Sequence, residues 1–189
     1  FIIGLLERLP KGEVIVYTSR QSGSKSFDKK WLDNFGVRVI RDASKILLPT
    51  PRVVRAVRKV IKQSKIEKVW FGAAAPLAVS ARFLRVGNVK KIVALSHGHE
   101  VWWSKVFPFN LAMKEIARSV DVLTFLGDYT GSVIGKHFKG RAKLVKIAPG
   151  IDINHFKPER DLSKISEVRS ELKIGSEPLI LSVGRLVHR

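Results

Sequence analysis

The chain has 189 residues, enough for one well-buried domain or for one domain and part of another, and its hydrophobic fraction of 45% argues against disorder. It has no cysteine, which excludes disulfides and thiolate metal sites and fits a reducing compartment. Its 35 Lys+Arg against 16 Asp+Glu give a formal charge of +19, an attraction to polyanions that does not by itself choose between nucleic acid and an anionic membrane.

The opening "FIIGLLERLP" predicts a buried helix over 1–9. It is much shorter than the about 20 apolar residues that span a bilayer, and it lacks the basic leader and cleavage site of a signal peptide. Beginning on Phe and on a helix, the chain is expected to start inside a larger protein. Short apolar runs then alternate with helical patterns. Strands are predicted at 13–18, 37–40, 68–71, 91–96, 121–126 and 143–148, with a late one at 178–183. Helices are predicted near 28–35, 52–65, 76–85, 108–119 and 128–138. Several strands are apolar without strict alternation, as strands covered on both faces are. The alternation predicts an α/β fold with a Rossmann-like doubly wound parallel sheet. Pro149, Gly150 and Pro158 punctuate a break, a polar helical stretch follows at 163–175, and "EPLILSVGRL" reads as the first strand of a new domain.

The segment "PRVVRAVRKVIKQSKIEK" (51–68) carries Val53, Val57, Val60 and Ile61 on one helical face, with Val54 at its edge. Arg52, Arg55, Arg58, Lys59, Lys62 and Lys65 fill most of the rest. A basic amphipathic helix of this kind reads as a membrane-surface element, whereas its plain reading is a helix packed on the sheet with a solvated basic side. The apolar stripe is too narrow to serve the core and also insert deeply, so attraction to lipid would be mainly electrostatic.

Ligands of open α/β sheets bind beyond the carboxyl ends of the strands, where "HGHE" (97–100) follows the strand at 91–96. Gly98 admits a close approach to the backbone. Histidines satisfying loop backbone and histidines touching a ligand are equally good readings of this stretch, and metal binding ranks low because no matching signature accompanies it. In "GDYTG" (127–131), Asp128 or Thr130 is the expected N-cap of the next helix, whose free N–H groups favour an anion nearby. "APGID" (148–152) reads as a turn, with Asp152 capping a short segment and Phe156 as a packing anchor. "SVGRL" (182–186) puts Arg185 at a strand end, where an arginine can grip a phosphate but is more often solvated.

Together "SHGHEVWW" (96–103), "DVLTFLGDYT" (121–130), "APGIDINHFKP" (148–158) and "LSVGRLVHR" (181–189) resemble the retaining family 4 glycosyltransferases of the two-domain GT-B fold, and within them the bacterial phosphatidylinositol mannosyltransferases. The resemblance implies an N-terminal lobe over 1–150 on the acceptor side with its first strand missing, a connection over 151–176, and the start of a nucleotide-sugar-binding domain over 177–189. It implies transfer of mannose from GDP-mannose to a phosphatidylinositol mannoside, without metal or other cofactor and with retention at the anomeric carbon. His97 would contact the transferred sugar or its phosphate, beside Gly98, His99 and Glu100. Gly150 and Asp152 would lie near the donor, and Arg185 would stabilise the leaving diphosphate, whose own oxygen takes the acceptor's proton. Position 127 is Gly where Ser is expected, and the lysine expected after Arg185 and the phosphate-binding glycine loop are not present in the sequence. The 189 residues alone are therefore expected to be inactive. Partners implied are a nucleotide sugar, an anionic glycolipid and an anionic membrane surface, the cytoplasmic face of the plasma membrane, with Arg52, Arg55, Arg58, Lys59 and Lys62 on lipid and no nucleic acid. The alternatives are a non-catalytic polyanion-binding α/β module, nucleic acid being its partner, or a family 4 enzyme with another nucleotide sugar or acceptor.

Overall fold

The structure is a computed structural model that describes residues 2–181. Its backbone divides into two units, Phe1–Pro149 and Gly150–Arg189.

In the first unit, α1 (Ile2–Leu6) leads to β1 (Ile15–Thr18), α2 (Ser24–Phe35), β2 (Arg38–Arg41), α3 (Pro51–Gln63) and β3 (Lys68–Phe71). A 3-10 helix (Leu77–Leu84) leads on to β4 (Lys91–Ser96), α4 (Glu100–Lys105), α5 (Phe109–Ser119), β5 (Val122–Phe125), α6 (Asp128–Phe138) and β6 (Lys143–Lys146). The α/β class with parallel pairing is as the sequence predicts. The continuous sheet is not. β1 and β2 form one parallel ladder, and β3-β4-β5-β6 form a second in that spatial order. Side chains rather than hydrogen bonds join the two: Leu6, Trp31 and Val37 make a small core on which Ile2, Val16, Val39 and Trp70 of β3 pack.

Local chemistry explains the elements. α3 starts where Thr50 accepts a hydrogen bond from Val53 N at 3.3 Å and Pro51 takes the first helical position. α2 ends at Gly36, whose φ of +66° suits glycine; a Cβ there would stand 2.7 Å from Gly12 N. The predicted helix at 76–85 winds as a 3-10 helix, where Ala78, Ala81 and Leu84 repeat every third residue and all are buried. α4 was not predicted, because "EVWWSK" has no helical apolar period long enough to show.

Strands β3 to β6 advance in one direction, so right-handed crossovers put their connecting helices on one face. The packing agrees: α3 lies on the 3-10 helix, that helix on α5, and α5 on α6. Beneath them sits the main core, with Ile61, Ile92, Met113, Ile116, Leu123, Ile134 and Phe138. β4 is buried at four of six positions, as a central strand should be.

The second unit, as far as described, carries α7 (Leu162–Glu171), capped by Asp161, whose side chain accepts from Ser163 N at 3.0 Å. Asp152 accepts from Asn154 N at 2.9 Å and His155 N at 3.3 Å, the capping role expected of it. Phe156, the expected anchor, is 66% exposed among the described residues. The strand predicted at 178–183 does not form over residues 178–181, which find no partner strand, and its remainder lies outside the described residues.

Candidate active site at the tips of β3 and β4

β4 ends on the buried Ser96, and the chain turns sharply through His97, Gly98 and His99 into α4. Gly98 has φ +103°, a conformation that strains any residue with a Cβ. Glu100 holds this turn from beneath. It is 0% exposed, and one carboxylate oxygen accepts from Ser96 Oγ at 2.8 Å and Gly98 N at 3.2 Å. The other accepts from Ala75 N at 3.4 Å. Glu100, expected beside the substrate, has its carboxylate engaged by donors of its own loop and of the β3 tip.

The two histidines lean on the neighbouring strand tip. His97 Nε2 lies 2.7 Å from the Gly72 carbonyl, and His99 Nε2 lies 3.3 Å from the Ala75 carbonyl. A carbonyl only accepts, so each Nε2 carries the proton and each neutral ring presents Nδ1 as an acceptor. His97 is exposed, so its Nδ1 can take a hydrogen bond from a hydroxyl, and the protonated ring can donate to a phosphate oxygen. Both histidines thus satisfy backbone carbonyls of the neighbouring strand tip.

The segment Gly72–Ala75 that receives them escaped the sequence reading. Its signal was present in "FGAAAP", a run of the smallest residues directly after a strand, which lets two loops approach. On the other side stands α6. A Cβ on Gly98 would be 3.5 Å from Thr130 Oγ1, so "HGHE" and "GDYT" share one neighbourhood. The cap differs from expectation: Gly127 is the N-cap and makes no side-chain bond, while Asp128 turns outward to Lys146 Nζ at 2.6 Å. The first N–H groups of this eleven-residue helix therefore have no side-chain cap.

At the tips of β1 and β2 a second polar cluster appears, which sequence patterning missed because its members are far apart in the chain. The buried Asp42 takes a bidentate pair from Arg52 (2.6 and 3.0 Å) and further bonds from the Ser44 backbone N–H, the Ser44 hydroxyl and the Tyr17 hydroxyl. Those bonds, Arg52 first, hold its carboxyl well below the usual carboxylate range. Burial, and then Asp42, push the Tyr17 hydroxyl up to about 12. Arg52 is thus paired with Asp42 while its side chain stays 57% exposed. Arg55, Arg58, Lys59 and Lys62 line a shallow depression of about 400 Å³ along α3.

Of the remaining expected residues, Gly150 and Asp152 belong to the second unit, and Arg185 lies outside the described residues. The first unit brings together His97, Gly98, His99 and Glu100. Among the described residues no three His, Asp or Glu side chains converge as a metal site, and no helix is long and apolar enough to cross a membrane.

A parallel α/β lobe with a histidine-bearing loop at a central strand tip is a Rossmann-like lobe of the kind found in GT-B glycosyltransferases. No family model matches the chain. It is 36% identical over 177 residues to the GDP-mannose-dependent alpha-(1-6)-phosphatidylinositol monomannoside mannosyltransferase of Mycolicibacterium smegmatis, covering 94% of this chain and 46% of that protein. The protein of the same name from Mycobacterium tuberculosis is 36% identical over 174 residues, covering 92% and 44%. The GDP-mannose-dependent monoacylated alpha-(1-6)-phosphatidylinositol monomannoside mannosyltransferase of Corynebacterium glutamicum is 32% identical over 179 residues, covering 93% and 46%. The chain is thus homologous to this group of mannosyltransferases, and it spans a little under half the length of these relatives.

Proposed function

We propose that this chain is the acceptor-side lobe of a GDP-mannose-dependent mannosyltransferase that acts on a phosphatidylinositol mannoside at the anionic, cytoplasmic face of a membrane. The observation that carries the reading is homology to mannosyltransferases of that specificity along more than nine-tenths of this chain. The loop at the tip of β4 fits it. His97 offers Nδ1 to a sugar hydroxyl, or a proton to a phosphate, from a turn that Glu100 and Gly98 preorganise.

The reaction in this proposal is metal-independent and retains configuration. The bond from the anomeric carbon to the donor phosphate breaks, and the acceptor oxygen bonds to that carbon on the same face. The departing phosphate oxygen takes the acceptor's proton, so no separate general base is required. The uncapped start of α6 supports the reading, since its N–H groups favour negative charge nearby. Arg185 would neutralise the leaving diphosphate, with Gly150 and Asp152 beside the donor. Along α3 the free cations Arg55, Arg58, Lys59 and Lys62 carry no acidic neighbour on their own helix, which suits an anionic lipid surface.

The test is mannolipid formation by the whole protein that carries this sequence, supplied in turn with GDP-mannose and with other nucleotide sugars, on vesicles containing phosphatidylinositol mannoside. Formation only with GDP-mannose supports the proposal. Equal or better transfer from another donor moves the specificity, and absence of transfer from every donor overturns it.

A further inference from the structure

Beyond the basic helix, the layer over β3 to β6 has an aromatic corner where α4 meets α5. Trp102 is 54% exposed, Phe107 75% and Leu111 52%, a group of large apolar side chains that a soluble surface seldom presents together. The Trp102 ring rests on Phe109 with centroids 4.9 Å apart, and Phe109 in turn meets Trp103, so packing props Trp102 outward. Phe107 lies in the turn that joins α4 to α5, and Leu111 stands in the first turn of α5.

The chemistry around the corner points to its occupant. Lys105, Lys114 and Arg118 are exposed beside it. Glu115, the one acidic residue between 101 and 119, is engaged with Arg82 at 3.4 Å and with Ser119 at 3.2 Å. Arg82 also lies 4.5 Å from the Phe83 ring, itself exposed, on the 3-10 helix that separates α5 from α3. Tryptophan and phenylalanine flanked by cations, with no free acid between them, match the boundary between headgroups and acyl chains of an anionic bilayer. A protein partner of ordinary composition would gain from the aromatics and leave the cations unpaired.

We propose that the corner formed by Trp102, Phe107 and Leu111 is an apolar wedge that enters the headgroup region of an anionic membrane, while α3 holds that membrane by charge alone. The proposal rests on the membrane-lipid acceptor read above and adds what charge cannot supply, a fixed depth and orientation. α4 starts at the histidine loop, so Trp102 stands within about one helical turn of it. A wedge there brings headgroup sugars to His97 rather than to another face of the lobe.

Because the chain has no cysteine, Phe107→Cys accepts a single environment-sensitive fluorophore, and Lys59→Cys gives a matching reporter on α3. On vesicles of phosphatidylcholine with phosphatidylinositol, the label at 107 is expected to shift to the blue and be quenched by a shallow spin-labelled lipid. The label at 59 is expected to report adsorption without immersion. Trp102→Ser with Phe107→Ser is expected to weaken vesicle binding at least about tenfold, and Phe107→Ser alone, at a side chain 75% exposed, to weaken it with thermal stability unchanged. A label at 107 that stays in water while the chain is adsorbed overturns the proposal. So does a double variant that binds as the wild type does, or a label on the whole protein that is already shielded before lipid is added. A whole protein that immerses its corner yet forms no mannolipid leaves the wedge standing and removes only the transferase reading.

Discussion

Glu100 and Asp42 are both buried carboxylates at strand tips, and each organises its neighbours rather than a ligand. For Glu100→Gln, the amide must present its N–H₂ either to the Ala75 N–H or to the Gly98 N–H, because the two carboxylate oxygens serve donors on opposite sides. At least one hydrogen bond is lost, so the variant should be less stable by roughly 1–3 kcal/mol, measured by denaturant unfolding. It should also lose transfer activity in the whole protein, because the loop that presents His97 is no longer fixed. Asp42 and Tyr17 make opposite pH predictions. The Asp42 carboxyl is depressed in the fold, so its stabilisation is complete above its unfolded value near 4 and fades as pH falls below that. The Tyr17 hydroxyl is raised from 10.0 to about 12, so its stabilisation is complete below pH 10 and fades as pH climbs between those values. Thermal melts across pH should show Asp42→Asn losing part of the acid dependence and Tyr17→Phe part of the alkaline dependence. Unchanged profiles in both variants would remove the cluster from any account of stability.

Elements were legible where a periodic apolar pattern ran long enough. The five residues of α1 and six of α4 offer barely one turn to read, so α1 is shorter than expected and α4 was missed. α3 was plain in the sequence, because its valines keep helical spacing and Val53 and Ile61 are buried as that spacing requires. The pairing of Arg52 with Asp42 was not legible, since Asp42 sits ten residues upstream, just past the end of β2. The position of "HGHE" at a strand tip followed from the apolar run before it, but the inward turn of Glu100 depended on Ala75, brought near only by the pairing of β3 with β4. Two variants test this level. In α6, Gly131→Ala should destabilise by roughly 1–3 kcal/mol despite the better helix propensity of alanine, because a Cβ there would stand 2.4 Å from the Phe125 ring. On α3, replacing Arg55, Arg58, Lys59 and Lys62 by glutamine should lower affinity for anionic vesicles about a hundredfold at low salt, and much less at high salt. An affinity indifferent to both changes would assign lipid attraction elsewhere.

At the scale of the whole molecule, the charge of +19 admits any polyanion, and it was the strand-tip motifs that separated a transferase from a nucleic-acid module. The structure gives two of those motifs, "HGHE" and "GDYT", a common place in the first unit. The loop of β4, the small-residue turn of β3 and the open start of α6 adjoin one another, with the cationic layer of α3 and α5 on the adjacent face. A binding comparison across salt separates the two classes: the chain should prefer phosphatidylinositol vesicles to duplex DNA at matched charge, and the reverse preference would favour the nucleic-acid module. The most direct test of the central claim is mannose transfer from GDP-mannose to phosphatidylinositol mannoside by the whole protein, wild type against His97→Ala. The predicted result is transfer by the wild type and a loss of about a hundredfold or more in kcat for the variant. Wild-type turnover by His97→Ala would contradict it.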